Sequence, residues 1–393
     1  MIDVVLLLIM LGYAISGFRQ GLVVGVLSLG GFLGGAMLAM LIVPLLLSGM
    51  EPGPQRSVIV LLAVILTAWV GQFAGALVGG RVREAVPSGP LASADHVAGA
   101  LAGLVAVSLV LWFVAGAIRG APSPALSRTV ASSKVIQTID GLVPGQFVGV
   151  AETFREAVGG NTFPRVFAGV GPENIAPVTA PDPQTVNTAA VRKARRSIVK
   201  ITGEASSCGR GQEGSGAIIA PQRVVTNAHV VAGVTNPRVQ VGGKGRLYAA
   251  TVVSFDPRRD LAVLRVPQLK TVPLPLGTDL SRGNQAVVAG FPNDGPFRAS
   301  AARVRSVIRP SGEDIYGRPG AVREVYSLYV KVQPGNSGGP VLNSAGQIVG
   351  IVFAKSLDDA STGYALTLDE ARSVIEAGSQ LRTPVSTGGC AVG

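Results

Sequence analysis

Three side chains that together can break an acyl bond stand in order along this 393-residue chain: His229, Asp260 and Ser337. Ser337 lies in Pro334-Gly335-Asn336-Ser337-Gly338-Gly339-Pro340-Val341, a hydroxyl set among glycines. A serine hydroxyl is a poor nucleophile at neutral pH and attacks a carbonyl only when an adjacent base takes its proton. The chain has two histidines, and His229, in Thr226-Asn227-Ala228-His229-Val230-Val231, is the candidate base. Asp260 opens Asp260-Leu261-Ala262-Val263-Leu264 and is the candidate group to hold the imidazole tautomer and stabilise its cation. Asp256 is the rival carboxylate, but Asp256-Pro257 reads as a turn. No metal and no cofactor is expected.

Such residues need a scaffold, and the pattern from Ser197 onward supplies one. Short alternating runs follow each other with turns between: 198–202, 216–220, 223–226, 238–241, 248–255, 261–266, 285–290, 301–309, 327–332, 347–353 and 363–367. Runs of this length and spacing predict an all-β region of two antiparallel barrels. A final helix is expected from Leu368 to Ile375. The domain boundaries read from these changes of pattern are 1–120, 121–195 and 196–393.

The first third is different. Mean hydropathy of the whole chain is +0.44 with 48% hydrophobic residues, and the excess lies in apolar segments near 2–16, 21–48, 57–80 and 97–118. The last three are long enough to cross a hydrocarbon core, which takes about 20 residues; the first is short for a span. Together they predict an all-α membrane region of about four helices, with the lipid bilayer as partner. A cleaved leader fits residues 1–20 poorly, because a basic start is missing and Asp3 is acidic. Glycines in Gly30-Gly31-Phe32-Leu33-Gly34-Gly35 allow close helix contact in lipid. Arg19, Arg81 and Arg83 fall in the first and third loops, against Arg56 in the second and Arg119 after the last span. Positive residues stay on the cytoplasmic side, so everything after residue 119 is expected outside. The spans carry almost no charge beyond their ends, which argues against an ion or solute pathway. Asp95-His96 reads as a polar pair at the interface.

Between the two regions, 125–139 and 146–158 are expected as short amphipathic helices, and the Pro-rich 171–183 as an extended tether. Arg192-Lys193-Ala194-Arg195-Arg196 is a solvated basic cluster, or a site for proteolytic release. Residues 1–120 contain five basic and four acidic groups, so all but one unit of the net charge of +11 lies beyond them. The basic groups are scattered and no aromatic or Gly-rich motif accompanies them, which argues against nucleic acid as a partner. The two cysteines, Cys208 and Cys390, fall at opposite ends of the β region. In an oxidising compartment that placement reads as one disulfide, and its oxidation is expected to stabilise the domain.

The β region resembles the trypsin-like peptidases, and within them the bacterial HtrA-like branch, through the His229, Asp260 and Ser337 motifs over about 197–381. The resemblance implies a chymotrypsin-type double barrel and a serine endopeptidase acting on proteins or peptides. It also implies an oxyanion hole from the backbone N–H groups of Gly335 and Ser337, and a specificity pocket flanked by 350–353 and 363–366. Lys331, six residues before Ser337, stands where trypsin has an acidic residue, so cleavage after Lys or Arg is disfavoured. Ile351, Val352 and Phe353 point to a hydrophobic or small-residue preference. Only a short tail follows the last helix, which leaves no room for the PDZ domain of many HtrA proteins. The apolar region resembles the colicin V production protein family through Ile2-Asp3-Val4-Val5-Leu6 and Ser16-Gly17-Phe18-Arg19-Gln20-Gly21-Leu22-Val23. The combination resembles the acid-resistance periplasmic serine proteases of mycobacteria, which implies a multi-pass inner-membrane protein with its protease domain outside the cytoplasm, in acid and oxidative stress resistance. The alternative is a catalytically idle protease-fold adaptor on a membrane anchor.

Overall fold

A computed structural model describes residues 2–46, 54–84, 92–120, 129–143, 163–167, 171–205 and 210–391. The chain forms two compact units, one of Met1–Asn161 with Gly169–Pro172, the other of Thr162–Ala168 with Glu173–Gly393.

The first unit is helical: α1 (Ile2–Leu46), α2 (Pro54–Glu84), α3 (Ala92–Gly120) and the short α4 (Lys134–Leu142). Ile2–Ala39, Leu62–Arg83 and Ala94–Gly116 are long and apolar enough to cross a membrane. At 1.5 Å per residue an unbroken α1 would extend about 68 Å, twice a hydrocarbon core. It is broken at Gly21 (φ 78°, ψ 171°), backbone angles open only to glycine. The chain reverses there: a Cβ on Gly103 would meet the Tyr13 carbonyl at 2.6 Å, while one on Gly25 would lie 3.4 Å from Ala102 Cβ. Tyr13 and Gly25 therefore sit at the same level of α3, and the expected segments 2–16 and 21–48 are the two arms of α1. The break frees backbone N–H groups, and Asp95 takes one of them: its Oδ1 accepts from Leu22 N at 3.0 Å. Asp95 Oδ2 pairs with Arg83 at 3.4 Å, and His96 Nδ1 lies 2.5 Å from the Phe18 carbonyl. The Asp95-His96 pair thus fastens the reversal.

The helix expected at 125–139 is realised only in part: α4 begins after Ser133, whose hydroxyl accepts from Ile136 N, and runs on to Leu142, while 125–128 lie outside the described residues. The helix expected at 146–158 lies outside the described residues.

Among the described residues the second unit contains fifteen strands. β1 (Ile198–Ala205), β2 (Arg210–Ala220), β3 (Arg223–Thr226), β4 (Arg238–Val241), β5 (Leu247–Ala249), β6 (Thr251–Asp256) and β7 (Leu261–Arg265) form one sheet in the order β5-β4-β1-β2-β3-β7-β6. Its two edge strands, β5 and β6, are consecutive in the chain with only Ala250 between them, so the sheet curls until its edges meet at that corner. β8 (Gln285–Gly290), β9 (Arg298–Ile308), β12 (Val325–Tyr329), β13 (Pro340–Leu342), β14 (Ile348–Lys355) and β15 (Thr362–Thr367) close into a second barrel. β10 (Ser311–Glu313) and β11 (Pro319–Val322) form a separate hairpin. Apolar side chains fill both interiors, Val199, Ile218, Val252 and Leu264 in the first, Val304, Leu328, Ile351 and Leu366 in the second.

The helical turn α5 (Ala189–Ala194) precedes β1, another, α6 (Ala228–Val231), follows β3, and α7 (Leu368–Gln380) closes the unit with Thr367 as its N-cap. Residues 173–182 are extended, as their prolines dictate, yet they are not a free tether. They are strapped to the second barrel: Arg305 Nη1 donates to the Ala176 carbonyl at 3.1 Å and Arg282 Nη2 to that of Pro177 at 2.9 Å. The barrel's arginines supply this docking, and composition of the strap alone does not reveal it.

Candidate active site

His229 and Asp260 meet because β3 and β7 are neighbours, with Thr226 opposite Ala262. His229 stands just beyond the end of β3 and Asp260 just before the start of β7, at the same edge of the sheet. Asp260 is fully buried with φ 60°, a left-handed conformation that aspartate tolerates better than most residues. Its Oδ1 accepts from His229 N at 2.9 Å and its Oδ2 is 2.7 Å from Nδ1. A proton on Nδ1 donated to this carboxylate leaves Nε2 as the acceptor. Asn227 Nδ2 donates to the Asp260 carbonyl at 2.7 Å, which fixes the backbone of the turn. The rival carboxylate, Asp256, is occupied with the backbone. Its Oδ1 accepts from Arg258 N at 3.0 Å and Arg259 N at 2.9 Å, capping the turn that leads to Asp260.

Ser337 sits in a turn that packs against the same edge. Gly335 (φ 84°) and Gly338 (φ 80°) have left-handed backbones, and a side chain at either would collide with the Phe291 carbonyl or with Ser215 and Thr226. Within this turn, Asn336 N donates to the Gln333 carbonyl, Gly338 N to that of Val352 and Gly339 N to that of Asn336. The N–H groups of Gly335 and Ser337 donate to no acceptor among the described residues.

Sequence reasoning missed the residue that holds this turn to the first barrel. Ser215, fully buried on β2, donates from its backbone to the Ser337 carbonyl at 2.8 Å and from its hydroxyl to the Gly335 carbonyl at 2.6 Å. Its hydroxyl also accepts from Phe291 N at 2.9 Å, and its carbonyl accepts from Thr226 Oγ1 at 2.7 Å. Its only signal in the sequence is Gly214-Ser215-Gly216, small residues in a strand where another backbone approaches. Arg323 was missed too. Its guanidinium is buried, donates to the Arg258 carbonyl at 2.6 Å and the Glu313 carbonyl at 2.9 Å, and lies 5.6 Å from the Phe353 ring. Burial lowers its pKa, and of the carboxylates around it that of Asp260 opposes this most strongly.

The expected specificity residues divide. Lys331 is exposed, whereas Ile351, Val352 and Phe353 are buried side chains of the core. Val352 contributes through its backbone: its N–H donates to the Gly339 carbonyl at 2.9 Å and its carbonyl accepts from Gly338 N at 2.8 Å. Cys208 lies outside the described residues; among the described residues no cysteine is free. Among the described residues no three His, Cys, Asp or Glu side chains are grouped to hold a metal ion.

A cavity of about 650 Å³ opens beside β1 and β2, lined by Glu204, Gln212, Glu213, Arg238 and Asp294 among others. Glu213 directly precedes Gly214 and Ser215. Asp294 belongs to the turn Pro292–Asp294, tied to the nucleophile segment by Asn293 N donating to the Pro334 carbonyl at 2.7 Å. Burial, together with the Asp294 carboxylate, pushes Glu213 up to about 7, while Lys200, 2.5 Å from Asp294 Oδ1, helps hold Asp294 low.

Comparison with known proteins gives two family matches: a trypsin-like peptidase domain over residues 214–351 and colicin V production protein over 2–144. The chain is 36% identical over 394 residues to serine protease Rv3671c of Mycobacterium tuberculosis, covering 99% of this chain and 98% of that protein. The crystal structure of the active form of the Rv3671c protease matches with a TM-score of 0.54 and 42% identity, covering 58% of this chain and all of that one. The mitochondrial serine protease HTRA2 of Bos taurus is 33% identical over 171 residues, which is 42% of this chain and 36% of HTRA2.

Proposed function

Because the chain belongs to the family of the trypsin-like serine protease Rv3671c, with a colicin V production region ahead of the peptidase, we propose that it cleaves proteins through His229, Asp260 and Ser337. Ser337 attacks the scissile carbonyl and forms an acyl-enzyme. His229 takes the hydroxyl proton at Nε2 and returns it to the leaving amine; water then enters by the same base. Asp260 holds the Nδ1–H tautomer and stabilises the imidazolium. The N–H groups of Gly335 and Ser337 receive the oxyanion, where one such donor contributes roughly 100- to 1,000-fold in rate. The observation that carries this reading is the buried Asp260–His229 pair, 2.7 Å apart, at the edge where the Ser337 turn presents two free amides.

The apolar helices anchor the enzyme in the inner membrane with the peptidase outside the cytoplasm, on the side where Cys208 and Cys390 can bridge. Its substrates are envelope proteins, and its place is in the response to acid and oxidative stress. A fluorophosphonate probe tests the chemistry: the wild-type chain labels, and Ser337→Ala and His229→Ala lose the label. Equal labelling of the wild type and Ser337→Ala removes the assignment, and a wild type that never labels is the idle adaptor.

A further inference from the structure

The strap ahead of the barrels carries a carboxylate that the reaction does not use. Glu173 reaches the loop between β14 and β15, residues 356–361. Its Oε1 accepts from Leu357 N at 3.0 Å, and its Oε2 accepts from the Tyr364 hydroxyl at 2.9 Å and from the Ser356 hydroxyl. Its own N–H donates to Asp358 Oδ2 at 2.7 Å. Ser356, Asp358 and Tyr364 are all buried. Ser356 Oγ in turn accepts from Asp358 N at 3.0 Å and Asp359 N at 2.9 Å, so the loop is wound around the hydroxyl that Glu173 holds.

Besides the strap, the segment 330–332 closes on this loop, and the loop closes on itself. Val330 N donates to the Ser361 carbonyl at 2.8 Å, and Ser356 N to the Thr362 carbonyl at 2.9 Å. Gly363 faces the side chain of Val332 so closely that a Cβ there would collide with it. Upstream on β14, Val352 makes the two backbone bonds to the Ser337 turn. The loop is therefore the far end of a frame whose near end is the nucleophile. A carboxylate accepting a buried amide and two buried hydroxyls makes charge-assisted bonds that fix geometry more firmly than neutral partners do.

We infer that Glu173, supplied by the segment preceding the barrels, is a positioning residue that fixes loop 356–361 and thereby the wall of the substrate-binding pocket. This rests on Ser337 being the nucleophile and on β14 and β15 flanking that pocket. It makes substrate selection depend on a segment outside the barrel, and it separates two properties: reactivity of Ser337 toward small reagents, and recognition of a peptide.

The test uses the full-length chain in detergent, as wild type, Glu173→Ala, Glu173→Gln and Tyr364→Phe. Fluorophosphonate labelling rates report the nucleophile, and kcat and KM on peptides varied at the residue before the scissile bond report the pocket. Glu173→Ala is expected to raise KM about tenfold and broaden the preference at that residue, with kcat and labelling within about threefold of wild type. Glu173→Gln keeps an acceptor oxygen and restores most of the loss, and Tyr364→Phe shifts KM in the same direction by less. Unchanged KM and preference in Glu173→Ala and Tyr364→Phe overturn the inference. So does a fall of labelling and hydrolysis in equal measure in all three variants, which is general loss of structure. A wild type that cleaves peptides but does not label through Ser337 overturns the underlying assignment instead.

Discussion

At the scale of single residues, the candidate site divides into groups proposed to perform the chemistry and groups that hold them. The first kind was legible in the sequence, because a serine among glycines, a rare histidine and an aspartate opening a strand each restrict what they can do. Ser215, Arg323 and Glu173 were not, because their roles exist only once β2, the 256–260 turn and the loop after β14 come together. Ser215 shows the consequence. Its hydroxyl donates to the Gly335 carbonyl and accepts from Phe291 N, all in a region closed to water. Ser215→Ala leaves two buried backbone groups without this partner, and each unsatisfied group costs about 1–3 kcal/mol. The expected result is a lower melting temperature together with a fall in kcat of at least tenfold, since the Gly335 amide is no longer held in place for the oxyanion. Thermal denaturation and steady-state kinetics check it; a variant with lowered stability but unchanged kcat would show that Ser215 holds the fold and not the donor.

At the scale of elements, most strands and the final helix declared themselves by alternation and by Gly/Pro punctuation. β13 did not: it is three residues long and starts at Pro340, inside the motif that drew attention to Ser337. β10 and β11 are equally short, and the strap of 173–182 owes its order to arginines far along the chain. The facing of β2 and the Pro292–Asp294 turn is another product of tertiary structure, and it has a pH dependence. Glu213, pushed up to about 7, faces Asp294 and that residue's partner Lys200, and shares the cavity lining with Glu204 and Arg238. A carboxyl whose pKa is raised in the folded chain binds its proton more tightly there than when unfolded. Its contribution to stability is therefore full below the ordinary glutamate range and is lost as pH rises toward 7 and beyond. Glu213→Gln imitates the protonated form. It is expected to melt at a higher temperature than wild type at pH 8 and at the same temperature at pH 4, with the difference opening between about pH 4.5 and 7. A constant difference across that range would assign the effect to packing and not to the proton.

At the scale of the whole molecule, the question is how many times the chain crosses the bilayer, and Gly21 decides it. Composition marked four apolar segments but left the first in doubt, since 2–16 is short for a span. What composition lacks is the sign of a backbone angle. With Gly21 at φ 78° the arms of α1 run in opposite directions along α3, and Asp95 and Arg83 satisfy the polar groups exposed at the turn. An even number of crossings follows if each arm spans. The arm 2–20 has 19 residues, about 28 Å of helix, close to the 30 Å of a hydrocarbon core. The N-terminus and the peptidase then lie on the same side, which the proposed topology, argued from the loop arginines, puts outside the cytoplasm. An epitope fused before Ile2 is expected to be cleaved by protease added to intact spheroplasts, along with one fused after residue 391. If α1 crossed once, the first epitope would be protected while the second stayed accessible. Replacing Gly21 by leucine, whose side chain disfavours the reversed backbone, is expected to move the N-terminal epitope to the protected side or to abolish accumulation of the chain. A G21L chain that accumulates normally with the same accessibility as wild type would place the turn elsewhere.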